Sequence, residues 1–186
     1  ADAYTLNEYH TYSSMVSELK NISEEYSEIT YLFSIGKTYE GRDIYVMKIS
    51  DNPEVDEDEP ELFFMGGTHA REWLSIEVPL YIAQTLVEGY QTNDTIREIV
   101  DEREIFILPC LNPDGRMYDS PGDNPKDHIE HGKVGFWAPG WRKNRAPNGD
   151  GTYGVDLNRN YGYMWGGISQ ADARGVPPTD TSSDAY

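Results

Sequence analysis

The amino-acid sequence predicts an α/β fold, a sheet covered on both sides by helices, and three observations carry that expectation. Apolar residues recur at helical spacing over residues 7–26 and again over 71–89. Short runs rich in β-branched and aromatic residues, ITYLFSIG, IYVMKIS, LFFMGG and EIFILPCLN, have the length and composition of strands. These runs alternate with the helical stretches along the first 112 residues instead of being grouped together.

The first helical stretch places Tyr9, Tyr12, Met15, Val16, Leu19 and Ile22 on one face. ITYLFSIG and IYVMKIS follow, joined by KTYEGRD with a turn signal at Glu40-Gly41, and together they read as a hairpin. The acidic loop DNPEVDEDEPE separates them from LFFMGG. The long helix predicted over 71–89 has a broad apolar face of Trp73, Ile76, Val78, Leu80, Ile82, Leu86 and Val87, and it ends at Gly89, as helices often do. TIREIVDE reads as a shorter helix leading into EIFILPCLN, a nearly uninterrupted apolar strand of the kind buried on both faces. From 113 to 186 the chain is rich in Gly, Pro, Asn and Asp, with no convincing helix and few strand-like runs. A compact domain rarely carries so long a stretch as loop, so either this region holds functional loops or the elements that should cover it are absent. There is no internal repeat and no low-complexity tract beyond the acidic loop.

At 186 residues the chain suits one domain or part of a larger one, and its 38% hydrophobic and 12% aromatic content suffices for a core. With 33 acidic against 15 basic residues the formal net charge is −18, and no basic patch gathers. Nucleic acid and anionic membrane are therefore excluded as expected partners. Such acidity reads as a solvated, soluble surface. No apolar run reaches the length of a membrane span, and ADAYTLNEYH lacks the basic and apolar regions of a signal peptide, as a processed mature chain or a cytosolic one would. The single Cys110 cannot form an internal disulfide and reads as a small buried apolar residue.

Chemistry concentrates in GGTHAREW, where His69, Arg71 and Glu72 follow two glycines at the end of an apolar run. Open α/β sheets place ligands at the carboxyl ends of their strands. A three-residue separation at a helix start lets the imidazole of His69 and the carboxylate of Glu72 face one point, and that pair suits zinc. The rival reading is a helix amino terminus on which Glu72 only complements the dipole. In the acidic loop, Asp56, Glu57 and Glu61, with Glu104 opening a strand beyond, offer hard oxygen ligands dense enough for calcium; the rival there is a plain solvated charge run.

GGTHAREW, NPDG (112–115), WRKNR (141–145) and GVDLNRNY (154–161) occur in that order, with SIGKTYEGRDIYVMKIS also typical. On these motifs the chain resembles the zinc carboxypeptidase family, the pancreatic-type metallocarboxypeptidases and their bacterial relatives, over nearly its whole length. The resemblance implies a mixed, mostly parallel sheet with helices on both faces. It implies a zinc-dependent exopeptidase that takes peptides or proteins with a free carboxyl terminus, and a mature chain that is extracellular. Residue by residue, it implies that His69 and Glu72 are two of three protein zinc ligands, that Arg142 polarises the scissile carbonyl, that Asn158 and Arg159 grip the terminal carboxylate, and that Arg71 contacts substrate in an outer subsite. Some bacterial relatives are stabilised by calcium near the acidic loop.

Family members also carry a third ligand, a histidine, then a substrate-capping tyrosine and a general-base glutamate, and none has a matching position here. Residues 1–186 are thus expected to be the amino-terminal part of a single catalytic domain, nearly inert alone and partnered by the remaining carboxyl-terminal part. The alternative is a non-catalytic fragment or pseudoenzyme that binds peptide carboxyl termini. His128 and His131, in what reads as an insertion loop, match nothing in the family's ligand set.

Overall fold

The computed structural model describes residues 9–119 and 140–162. His128, His131, residues 7 and 8 of the first predicted helix, and everything after 162 lie outside the described residues. Helix α1 runs Tyr12–Glu25. It starts later than the apolar spacing suggests because Thr11 is extended and accepts from the Ser14 N–H, which makes it the cap. Strands β1 (Thr30–Lys37) and β2 (Asp43–Ile49) form the expected hairpin, and β3 spans Glu61–Met65. Helix α2 is Leu74–Gly89, α3 is Asp94–Asp101, and β4 is Glu104–Leu108.

The sheet is mixed, in the order β1-β2-β4-β3. β2 pairs antiparallel with both β1 and β4, while β3 runs parallel to β4 from Glu61↔Glu104 to Met65↔Leu108. β3 and β4 are consecutive strands joined by a helical crossover, α2 and α3, of the length that parallel pairing requires. Alternation assigns Met47 and Ile49 of β2, and Ile105 and Ile107 of β4, to one face. There they join Met15, Leu19 and Ile22 of α1, Ile76, Leu80, Ala83, Leu86 and Val87 of α2 and Val100 of α3 in a single buried cluster. Among the described residues, the helices of that cluster lie over this face alone. The opposite face, expected to carry helices as well, leaves Tyr31, Ile35, Phe63 and Met65 exposed. Across it runs one buried ion pair, Lys48 with Glu104.

Two further features differ from the sequence expectation, and both bear on the site. The long helix begins at Leu74, not at 71, so His69 and Glu72 sit in a turn ahead of it, closed by Glu72 N–H donating to the His69 carbonyl at 3.1 Å. In addition, residues 113–119 form a short helix, α4 (Pro113–Asp119), where no helix was expected. Pro113 and Gly115 read as turn formers in sequence, yet proline suits a first helical position, and Asn112 caps the helix by accepting from Gly115 N–H at 3.0 Å. Asp114 of that helix accepts from Thr38 Oγ1, Glu40 N–H and Arg42 Nη1, which ties the β1–β2 turn to α4.

The two glycines ahead of His69 are required by close approach. Pro79 in α2 has no N–H, so it makes no intrahelical bond to the Ser75 carbonyl. A Cβ on Gly66 would lie 2.0 Å from that oxygen. Gly67 has φ +59° and would set a Cβ 2.8 Å from Cys110 Cα. Strand β3 can therefore deliver its last residues against β4 and α2 only if both positions lack side chains.

Candidate metal centre and peptide-facing site

His69 is 7% exposed and leaves the end of β3 with both ring nitrogens facing carboxylates. Nδ1 lies 3.0 Å from each oxygen of Glu72, and Nε2 lies 3.1 Å from Asp156 Oδ1. With the ring proton on Nε2, directed at Asp156, the Nδ1 lone pair points at two carboxylate oxygens, an arrangement that only a proton or a cation relieves. An imidazole nitrogen and a carboxylate on one point, with the second nitrogen held by another carboxylate, is the donor chemistry of zinc sites, and these residues fit it. The Glu72 side chain is half exposed, so one side of this point is open to solvent.

Asp156, fully buried, accepts from Arg142 Nε at 2.9 Å on Oδ2, and from the Asn158 N–H at 2.9 Å on the same Oδ1 that faces His69. Burial pushes its carboxyl pKa up, but the hydrogen bonds from His69 and Arg142 outweigh that and hold it below the ordinary carboxylate range. Arg142 then turns Nη1 toward Glu72 Oε1, 3.4 Å away. Asp156 also caps a 3₁₀ turn, Leu157–Arg159, and so sets Asn158 and Arg159 beside the same cluster. Arg159 donates from Nη1 to the Asn158 carbonyl at 3.1 Å, and its buried Nε has no hydrogen-bond partner among the described residues. Arg71 donates to the Gly140 carbonyl at 3.2 Å. It lines a cleft of about 360 Å³ with Tyr9, Glu72, Trp73, Leu74 and Ser75.

Residues 15–186 match the family model described as zinc carboxypeptidase. This chain belongs to the zinc carboxypeptidase family. It is 43% identical over 158 residues to a zinc carboxypeptidase of Saccharothrix mutabilis subsp. capreolus, covering 85% of this chain and 33% of that protein. It is 32% identical over 176 residues to the inactive metallocarboxypeptidase ECM14 of Uncinocarpus reesii, covering 91% of this chain and 27% of that one. Bovine thrombin-activatable fibrinolysis inhibitor, solved in complex with tick carboxypeptidase inhibitor, superposes with a TM-score of 0.73 at 25% identity, over 96% of this chain and 50% of that one. The chain thus spans 33% and 27% of the length of the first two relatives.

Of the residues singled out in the sequence, the structure brings together His69, Glu72 and Arg142 and sets Asn158 and Arg159 on the turn joined to them by Asp156. Asp156, within GVDLNRNY, joins them although the sequence does not single it out. The available signal was an aspartate two residues ahead of a polar pair in a turn, a common cap position. The acidic loop divides differently from the expected quartet. Asp56, Glu61 and Glu104 form one group and Asp51, Glu57 and Glu59 another, each with carboxylate oxygens within 4.8 Å of one another. Glu104 is already engaged by Lys48 and by the Glu57 N–H. Cys110 is buried as expected, and burial pushes its thiol up to about 12. No helix among the described residues is long and apolar enough to cross a membrane.

Proposed function

We propose that the full-length protein is a zinc-dependent carboxypeptidase that releases the last residue of peptides with a free carboxyl terminus. The observation that carries this reading is the convergence of His69 Nδ1, both oxygens of Glu72 and the Arg142 guanidinium on one solvent-open point. His69 and Glu72 hold the zinc. When bound, the metal supplies Lewis acidity toward a carbonyl and a lowered pKa for water. Asp156 keeps the His69 ring oriented through Nε2 and takes up one edge of Arg142 through Nε. The far edge of that guanidinium is left to donate to the scissile carbonyl as its oxygen gains charge. Asn158 and Arg159 receive the terminal carboxylate, for which the planar fork of arginine is suited, and Arg71 in the cleft beside Trp73 contacts the peptide further from its end. The third ligand and the general base belong, in this reading, to the remainder of the protein, and the acidic mature chain works outside the cell.

The test is release of the carboxyl-terminal residue from a free-acid peptide and from its amide by the full-length protein. Each charge-assisted hydrogen bond contributes roughly 1.5–3 kcal/mol, so the amide should bind at least about tenfold worse. Glu72→Ala should abolish both turnover and zinc retention; full activity in that variant would remove the metal assignment.

A second reading is a module that binds peptide carboxyl termini without cutting them. It is favoured by the likeness to an inactive metallocarboxypeptidase. Calorimetry separates the two readings: tight, zinc-independent binding of the free acid without turnover supports the second. Calcium completes the proposal. The buried Oε2 atoms of Glu57 and Glu59 lack a hydrogen-bond partner in the described structure, which suits a cation in the Asp51, Glu57 and Glu59 group. A melting temperature unmoved by calcium after chelation would withdraw that site.

A further inference from the structure

Asp119, the last residue of α4, is fully buried, and its two oxygens serve two different segments of the site. Oδ2 accepts from the indole Nε1–H of Trp73 at 2.7 Å, and Oδ1 accepts from the backbone N–H of Trp141 at 2.7 Å. Trp73 directly follows Glu72, and Trp141 directly precedes Arg142. One carboxylate therefore spans from the residue after a proposed zinc ligand to the residue before the proposed oxyanion donor, and the two functional groups themselves sit 3.4 Å apart.

We propose that Asp119 is a positioning residue, which sets the spacing between Glu72 and Arg142 through Trp73 and Trp141. This rests on the functional reading above and deepens it. The neighbouring contacts make the bridge stiff. Arg116, one turn earlier on α4, stacks its guanidinium 4.6 Å from the Trp73 ring centroid, and Tyr9 meets the same ring edge-on at 5.8 Å. At the other end of α4, Asn112 donates to the carbonyls of Thr68 at 3.2 Å and Lys143 at 3.0 Å, joining the same two segments on their far sides. The direct backbone bond between the segments, Ala70 N–H to the Arg142 carbonyl, leaves the direction of the Glu72 and Arg142 side chains open. Asp119 fixes the Trp73 side chain through its indole and the Trp141 backbone through its N–H, one residue from each of them. An asparagine at 119 would keep the shape but face the N–H donors on one side with its own N–H₂, so one arm of the bridge must break.

The experiment uses the full-length, zinc-loaded protein with Asp119→Asn and with Trp73→Phe, which removes the indole donor and keeps an aromatic ring under Arg116. Each variant is expected to lower kcat roughly tenfold or more with KM changed less than about twofold, and to weaken zinc roughly tenfold in competition with a chelator. In an Arg142→Ala background the kcat effect of Asp119→Asn should largely vanish, because the group it positions is gone. The Trp73 indole proton resonance, assigned by its loss in Trp73→Phe, should move upfield in Asp119→Asn. Unchanged zinc affinity and kcat in both variants would overturn the proposal, as would an equal fractional loss of kcat in the Arg142→Ala background, the mark of a merely structural carboxylate. If the unaltered protein releases no residues, the functional reading fails, and the chelator competition and indole resonance still decide whether Asp119 positions Glu72.

Discussion

Asp156 is buried and receives three hydrogen bonds, from the His69 ring, the Arg142 guanidinium and the Asn158 backbone. Its worth lies in orientation, because a histidine that binds a metal through one nitrogen needs the other held. Asp156→Asn would keep the size but offer one acceptor oxygen in place of two, and its amide would face either His69 or Arg142 with a donor. Zinc affinity in that variant should fall about 10- to 100-fold, read by competition with a chromophoric chelator. Wild-type affinity would mean that His69 is oriented by its own backbone. The same scale explains what sequence reading could and could not find. His69 and Glu72 stand out at the end of an apolar run, where ionisable groups invite a chemical reading, whereas Arg142 reads as part of a basic turn until the order of the family motifs marks it. Asp156 and Asp119 were not legible, because their roles depend on partners tens of residues away, 87 in the case of His69 and Asp156.

At the level of elements, the chain leading into α1 is clasped to α2. His10 Nδ1 lies 2.7 Å from Glu77 Oε2, and the His10 N–H donates to the other oxygen at 2.8 Å. The hydrogen bond to Glu77 raises the His10 pKa above the ordinary 6.5 against the opposing effect of burial, with Glu18 adding and Arg116 subtracting. Burial pushes Glu77 up, but its bonds from His10 hold it below the ordinary 4.5. The raised histidine contributes stability that is fully present below about pH 6.5 and is lost as pH rises through its folded pKa. The lowered glutamate contributes stability present above about pH 4.5 and lost as pH falls through its folded pKa. His10→Ala should therefore cost most between those values, about 1.5–3 kcal/mol in urea unfolding, with the gap to wild type narrowing toward pH 8. A gap that widens toward pH 8 would show the clasp working through neutral histidine. The elements themselves were largely legible, since burial and spacing agree in α1, β2, β4 and most of α2. Helix α4 was hidden because Pro113 and Gly115 favour turns in isolation, and only Asn112 and the buried partners of Asp114, Arg116 and Asp119 hold it helical.

Over the whole molecule, a formal charge of −18 meets a half-open sheet. Self-repulsion at that charge should be strong at about 0.01 M salt, where the screening length is about 30 Å, and weak at about 0.15 M, where it is about 8 Å. The melting temperature, measured with chelator present, is expected to rise by a few degrees between the two. A fall would mean that specific pairs such as Lys48 with Glu104 outweigh the repulsion. Strand β3 lies at an edge of the described sheet and exposes Leu62, Phe63 and Met65, and α2 exposes Leu74, Val78 and Tyr81. Apolar surface of that kind usually has a cover.

What the sequence determined by itself is local and ordered: the alternation of strands and helices, the mixed α/β class, the family, and the residue types at the strand end. These follow from periodicity and from motifs that occupy consecutive positions. What only the tertiary structure decided is convergence. His69, Glu72, Arg142 and Asp156 meet across up to 87 residues, and the turn ahead of α2, not its first helical turn, aims the first two. The physical reason is that a buried carboxylate must find its donors wherever the fold brings them, and no spacing along the chain records which donors those are.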